Sequence, residues 1–214
     1  MLLESSPLWF AATNTWVAAA EVGGVAIVID APPDPEAVIE LLTRHSLTLG
    51  GLLVTHGHVD HVGGAGAIER ATGSITYIHP DDDYLSLDPT AQVQALFGML
   101  VPGSYLPAVN RRPLRDGDHL EIGGMKVEVR HTPGHTPGHC CFYLASEGWL
   151  FSGDQLFAGS IGRTDLPGGD FDALMRSMDE RVLDLADDTR VLPGHGPETT
   201  VGRERRTNPF LRGR

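Results

Sequence analysis

The sequence predicts an α/β protein, most economically an αββα sandwich, and three observations carry that prediction. Short apolar runs rich in β-branched residues alternate with helix-period patterns through the first half of the chain. The second half opens on a glycine-framed hairpin and continues through further strands to a helix. No Gly/Ser/Pro linker long enough to separate domains interrupts the 214 residues, so 1–214 reads as one domain.

Taken in order, strand patterns fall at residues 15–20, 24–30, 51–55 and 75–79, interleaved with helical patterns at 35–45 and 62–72. Beyond the acidic residues 81–83, an apolar segment of mixed periodicity runs to Met99, and Pro102, Gly103 and Pro107 then break the chain into loop. This insertion is expected to lie over whatever pocket the fold presents. Gly117-Asp118 and Gly123-Gly124 frame the alternating runs 119–122 and 125–131, which reads as a hairpin. Strands follow at 140–145 and 149–152. A helix with apolar positions Phe171, Leu174, Met178, Val182 and Leu185 comes next, then a short strand at 190–192.

Composition narrows the function classes. A formal net charge of −12 argues against a chain built to grip nucleic acid, because that affinity rests on Lys and Arg neutralising phosphates. Ten histidines are a generous supply of metal ligands, and bound cations would answer part of the negative charge. The two cysteines, Cys140 and Cys141, are neighbours in an apolar run and cannot staple distant segments, so buried free thiols are expected. Glu4 stands where an export signal would be basic, and no stretch approaches the ~18 apolar residues of a membrane span. The expectation is a soluble, cytoplasmic protein without membrane or nucleic-acid partners.

The chemistry concentrates in THGHVDH, residues 55–61. His56 and His58 stand two apart at the end of an apolar run, so in extended chain both side chains project to one side and can grip one ion. Asp60 and His61 follow in the turn toward Gly63-Gly64, where their offset directs them to a neighbouring point. His135 in HTPGHTPGH, Asp154 in FSGDQLF and His195 in LPGHGP each stand where a strand gives way to a Gly/Pro loop. Such loops hold functional groups on a rigid sheet while leaving them open to ligand. Imidazole nitrogens and carboxylate oxygens are what Zn²⁺ prefers, and an incomplete protein shell leaves a position for water. His131 and His139 fit the same local pattern in supporting roles, orienting ligands or satisfying loop backbone. His45, His79 and His119 read as ordinary structural histidines.

In this order THGHVDH, HTPGHTPGH, FSGD and PGHGP resemble the metallo-β-lactamase superfamily over roughly residues 10 to 200, and the αββα sandwich is then of the metallo-β-lactamase type. The resemblance implies one metal held by His56, His58 and His135, a second held by Asp60, His61 and His195, and Asp154 bridging them. Two divalent ions are implied, Zn²⁺ first, with iron or manganese as the alternatives. GRTDLPGGD at 162–170 and GRERRTNPFL at 202–211 are similar to the short bacterial glyoxalase II-like hydrolases. Longer members of that group add a C-terminal helical domain that binds glutathione, and the chain ends before one, which leaves the thiol carrier open.

What the resemblance implies about mechanism is attack of a metal-bound hydroxide on a thioester such as S-lactoylglutathione. Two Zn²⁺, the two carboxylates and a hydroxide leave the site at about +1, a positive spot on a negative protein. Asp60 orients the attacking water or takes its proton in addition to ligating. Arg163, Arg203 and Arg206 are candidates for a substrate carboxylate, which a guanidinium fork pairs well. Arg163 and Asp165 also suit an ion pair within their glycine-rich loop. The main competing reading is a mono-iron persulfide dioxygenase, similar in fold, whose iron ligands would be His56, His135 and Asp154. A lactonase or β-lactamase-like hydrolase and a non-catalytic metal-binding protein stand behind it.

Overall fold

In a computed structural model, which describes residues 1–213, the chain divides into two compact units. The first comprises Met1–Leu114 and Glu121–Met125, the second Arg115–Leu120 and the chain from Lys126 onward.

The first unit is built on a six-stranded sheet in the order β1-β2-β3-β4-β5-β6, with β1 Leu2–Leu8, β2 Thr13–Ala19, β3 Val25–Ile29, β4 Thr48–Leu53, β5 Thr76–Ile78 and β6 Arg111–Pro113. The first three strands run antiparallel to one another, and β3 through β6 pair in parallel. The carboxyl ends of β3 and β4 therefore lie side by side, the usual place for a site in a parallel sheet. Helix α1, Pro35–Arg44, has Pro35 in its first turn, where a missing N–H costs nothing, and buries Val38, Leu41 and Leu42 at helical spacing. These side chains join Val17, Val28, Leu52 and Ile68 in the core of the unit.

The helix expected at 62–72 is two helices, α2 Val59–Val62 and α3 Ala65–Thr72. The His61 carbonyl accepts from Ala31 N–H at 2.7 Å instead of continuing the helical ladder, and Gly64 N–H donates to Ala31 O at 2.9 Å. A Cβ on Gly64 would stand 2.1 Å from the Pro32 carbonyl oxygen, so only glycine lets the two segments approach. The insertion after β5 forms a 3-10 turn at Pro80–Asp82, then α4 Asp83–Ser86 and α5 Pro89–Phe97. Asp88 caps α5 by accepting from Ala91 N–H.

The second unit is organised on a sheet in the order β14-β13-β10-β9-β8-β7. Its strands are β7 His119–Ile122, β8 Met125–His131, β9 Cys140–Leu144, β10 Trp149–Gly153, β13 Arg190–Pro193 and β14 Thr199–Thr200, and Leu156–Phe157 and Ser160–Ile161 form a separate hairpin of β11 and β12. Helix α6, Phe171–Arg181, packs Leu174, Met175 and Met178 against Leu150, Val191 and Val201, the last from α7, Val201–Thr207. The expected run to Leu185 stops at Arg181 because Val182 and Leu183 N–H groups both turn back onto the Met178 carbonyl, while Val182 and Leu185 stay buried. Phe171 is half exposed, so it does not belong to the buried face. Cys140 and Cys141 are buried free thiols.

Candidate metal centre

In the first unit β3 ends at Ile29 and β4 at Leu53, and the residues just past them form one hydrogen-bonded assembly. Asp30 is buried in the left-handed region at φ 65°. Its carboxylate accepts from Thr55 N–H at 2.7 Å, from the Thr55 hydroxyl at 2.9 and 3.0 Å, and from His61 Nδ1 at 2.8 Å. The Thr55 hydroxyl, having donated its proton to Asp30, accepts from His56 Nδ1 at 3.0 Å. Both imidazoles thus carry their proton on Nδ1 and present a lone pair on Nε2, the arrangement metal-ligating histidines use.

Those lone pairs converge with others. His56 Nε2 and His58 Nδ1 are 3.1 Å apart, and His61 Nε2 is 3.4 Å from Asp60 Oδ2. Two donors each ~2.0–2.1 Å from a tetrahedral ion would stand about 3.3 Å apart, so both pairs have the spacing of ligands that share an ion. Asp60 is held by the Thr13 hydroxyl at 3.0 Å and keeps a fifth of its side chain exposed, unlike the fully buried His56 and His61.

The second unit repeats the design around Asp154, the residue after β10. Asp154 Oδ2 lies 3.6 Å from His135 Nε2 and 3.7 Å from His195 Nε2, so one carboxylate oxygen stands between two histidines. These separations are too long for hydrogen bonds. His135 Nδ1 donates to the Arg163 carbonyl at 2.7 Å, which again leaves Nε2 as the ligating atom. His139 accepts from Asp154 N–H on Nε2 at 3.1 Å and faces the Thr132 hydroxyl through Nδ1 at 2.8 Å, so it orients the Asp154 backbone. His131 lies in the loop frame, with Nε2 on the Pro137 carbonyl. Gly162 packs against the Asp154 carbonyl so closely that a Cβ would stand 1.9 Å away and 3.3 Å from His135 Nδ1.

Within each unit the mix of imidazole nitrogens and carboxylate oxygens fits borderline divalent cations such as Zn²⁺ or Fe²⁺. His56, His58, Asp60 and His61 come together in the first unit, and His135, Asp154 and His195 in the second. The three arginines differ. Arg163 forms a two-pronged ion pair with Asp165, 2.7 Å at each contact, and this exposed guanidinium holds the Asp165 carboxyl down to about 2. Arg206 pairs with Asp187 at 3.2 Å, and Arg205 uses the same carboxylate. Arg203 is exposed on α7. Sequence reasoning passed over Asp30, Thr55 and Thr13. A carboxylate ending the apolar run VAIVI, one strand from the histidine loop, is the signal that could have flagged Asp30.

A family model described as the metallo-β-lactamase superfamily matches residues 8–195. The chain is 38% identical over 186 residues to the hydroxyacylglutathione hydrolase GloC of Haemophilus influenzae, covering 87% of each protein. Among solved structures, that of the BLEG-1 B3 metallo-β-lactamase is similar with a TM-score of 0.90 and 38% identity, over 99% of this chain and 100% of that one. TTHA1623 in a di-iron-bound form is similar with a TM-score of 0.84 and 39% identity, over 99% and 100%.

Proposed function

We propose, because the chain belongs to the metallo-β-lactamase superfamily, whose members are in general metal-dependent hydrolases, that it hydrolyses glutathione-type thioesters such as S-lactoylglutathione. The observation that carries the reading is the convergence of donor atoms within each unit, with Nδ1 of three candidate ligands tied to a protein acceptor so that Nε2 is left to ligate: His56 to Thr55, His61 to Asp30, His135 to Arg163. In this reading His56, His58 and His135 hold one cation, Asp60, His61 and His195 hold a second, and Asp154 is shared. The nitrogen-rich donor set favours Zn²⁺, and the di-iron form of TTHA1623 makes iron the alternative.

The bound cations would supply Lewis acidity, polarising the thioester carbonyl and lowering the pKa of water at the site to ~7. The protein does the positioning. Asp60, steadied by the Thr13 hydroxyl and partly open, orients the attacking water and takes its proton at the carboxylate. A thiol leaving group, with a free pKa near ~8.5, departs as thiolate with little help from a proton donor. Among the described residues Arg203 forms no ion pair with a carboxylate, whereas Arg163 and Arg206 do, so of the three it is the guanidinium left to meet a substrate carboxylate.

Similarity to the BLEG-1 B3 metallo-β-lactamase supports a second reading, hydrolysis of a β-lactam amide by the same groups. The test sets three assays on one metal-replete preparation: loss of the S-lactoylglutathione thioester, cleavage of a chromogenic β-lactam, and oxygen uptake with glutathione persulfide. Thioester turnover that drops at least about 100-fold in Asp60→Ala is the expected result. Cleavage of the β-lactam, or oxygen uptake, without thioester hydrolysis would replace the proposal.

A further inference from the structure

The backbone of Gly57, which joins His56 to His58, is held by residues outside that loop. Gly57 N–H donates to Asp82 Oδ2 at 2.8 Å, and the Gly57 carbonyl accepts from Gln92 Nε2 at 2.8 Å. Both partners belong to the insertion that follows β5, Asp82 in the 3-10 turn and Gln92 on α5. Asp82 is fully buried. Gln92 Nε2 also donates to the Leu85 carbonyl at 2.7 Å, which fixes the amide with its nitrogen toward both carbonyls. The approach is close enough to demand glycine, since a Cβ at position 57 would lie 2.7 Å from Leu85 Cβ and 2.9 Å from the Asp82 carbonyl oxygen. The insertion is itself moored to β6, where Arg111 pairs with Asp83 and donates to the Ser86 hydroxyl at 2.9 Å.

We infer that Asp82 and Gln92 are positioning residues for metal binding, clamping the two peptides that flank Gly57 so that His56 and His58 hold their donor atoms at the spacing of two ligands to one ion. The physical ground is the geometry of an i, i+2 ligand pair: two peptides flank Gly57, and rotation of either one swings the adjoining histidine, so fixing the N–H of the first and the C=O of the second removes the freedom that metal binding would otherwise have to freeze. The Gly57 N–H bond is charge-assisted, which makes Asp82 the stronger of the two holds. The insertion therefore serves as a buttress of the metal loop, a role its mixed apolar sequence does not announce. The inference rests on the reading of His56 and His58 as metal ligands.

The test uses the full chain loaded with Zn²⁺ and follows release of the ion to a chromogenic chelator, beside thermal denaturation of the metal-free protein. Asp82→Ala and Gln92→Ala are expected to lower Zn²⁺ affinity about 10–100-fold, the range found when supports of metal ligands are removed, and so to release the ion faster than wild type. Asp82→Asn, which keeps an acceptor oxygen, recovers most of the retention, and Gln94→Ala, on the exposed side of α5, releases at the wild-type rate. If Asp82→Ala does not fold, Gln92→Ala and Gln92→Glu carry the test from a partly exposed position. Variants that fold and hold Zn²⁺ as tightly as wild type overturn the inference alone. A wild-type chain that takes up no Zn²⁺ or other divalent ion overturns the metal reading beneath it.

Discussion

At Cys141 burial decides chemistry. The thiol sits in β9 with no exposed surface, and desolvation pushes it up to about 12, against smaller lowering effects from the Thr132 hydroxyl and the Arg130 and Arg181 charges. A thiolate is the reactive form, so the native protein at pH 8 is expected to resist iodoacetamide at Cys141 and to become alkylated there in urea, as peptide mass mapping would show. Rapid labelling of the folded chain would contradict this. The sign of the linkage follows: the folded state keeps a proton that the unfolded thiol gives up near 9, so the stabilising contribution is complete below pH 9 and is lost as pH rises toward 12. Asp165 runs the other way. Its carboxyl is depressed to about 2 by Arg163, so that pair persists above the ordinary carboxylate range and is lost only as pH falls through about 2.

Among the elements, α7 shows how a motif can be read for the wrong reason. GRERRTNPFL draws attention to its arginines, yet its buried polar members are Glu204 and Asn208. Glu204 accepts from Gly159 N–H at 2.8 Å, from the Thr199 hydroxyl at 2.6 Å and from Asn208 Nδ2 at 2.9 Å, and Asn208 Nδ2 also donates to the Ser160 carbonyl at 3.0 Å. These bonds tie α7 to the β11–β12 hairpin. Glu204→Ala leaves buried donors without an acceptor and is expected to cost at least about 2 kcal/mol in urea denaturation. Arg206→Ala, which removes only an exposed pair with Asp187, is expected to cost less than about 1 kcal/mol. Equal losses would show that the helix is held by its charges. Other elements escaped the sequence for physical reasons. β1 carries the polar run Glu-Ser-Ser with Pro7 on a sheet edge, and β6 is Arg-Arg-Pro, so neither shows an apolar alternation. The break at Gly63-Gly64 depends on the Ala31 backbone, a partner some thirty residues away that periodicity does not see.

For the whole molecule, the α/β fold of the metallo-β-lactamase type was legible because its signals are local: parallel strands with buried apolar runs, and motifs at their carboxyl ends in a fixed order. The two compact units, each with its sheet and flanking helices, were not legible as units, because the first takes residues 121–125 from the middle of the hairpin and no change in composition marks that exchange. The candidate ligands were also readable, since THGHVDH and the Gly/Pro loops advertise them. Their supports were not. Asp30, Thr55, Asp82 and Gln92 act through long-range hydrogen bonds, and as isolated letters they resemble any turn or helix residue. No helix among the described residues is long and apolar enough to cross a membrane.

The proposal stands or falls on whether the donors of both units serve one two-metal centre. Elemental analysis of the chain purified without added metal decides this, with His56→Ala and Asp154→Ala measured beside wild type. Two divalent ions per wild-type chain are expected, fewer in His56→Ala and fewer still in Asp154→Ala, whose carboxylate the proposal assigns to both ions. A wild-type chain with a single iron, or with no metal and no change on either substitution, would contradict the two-metal reading.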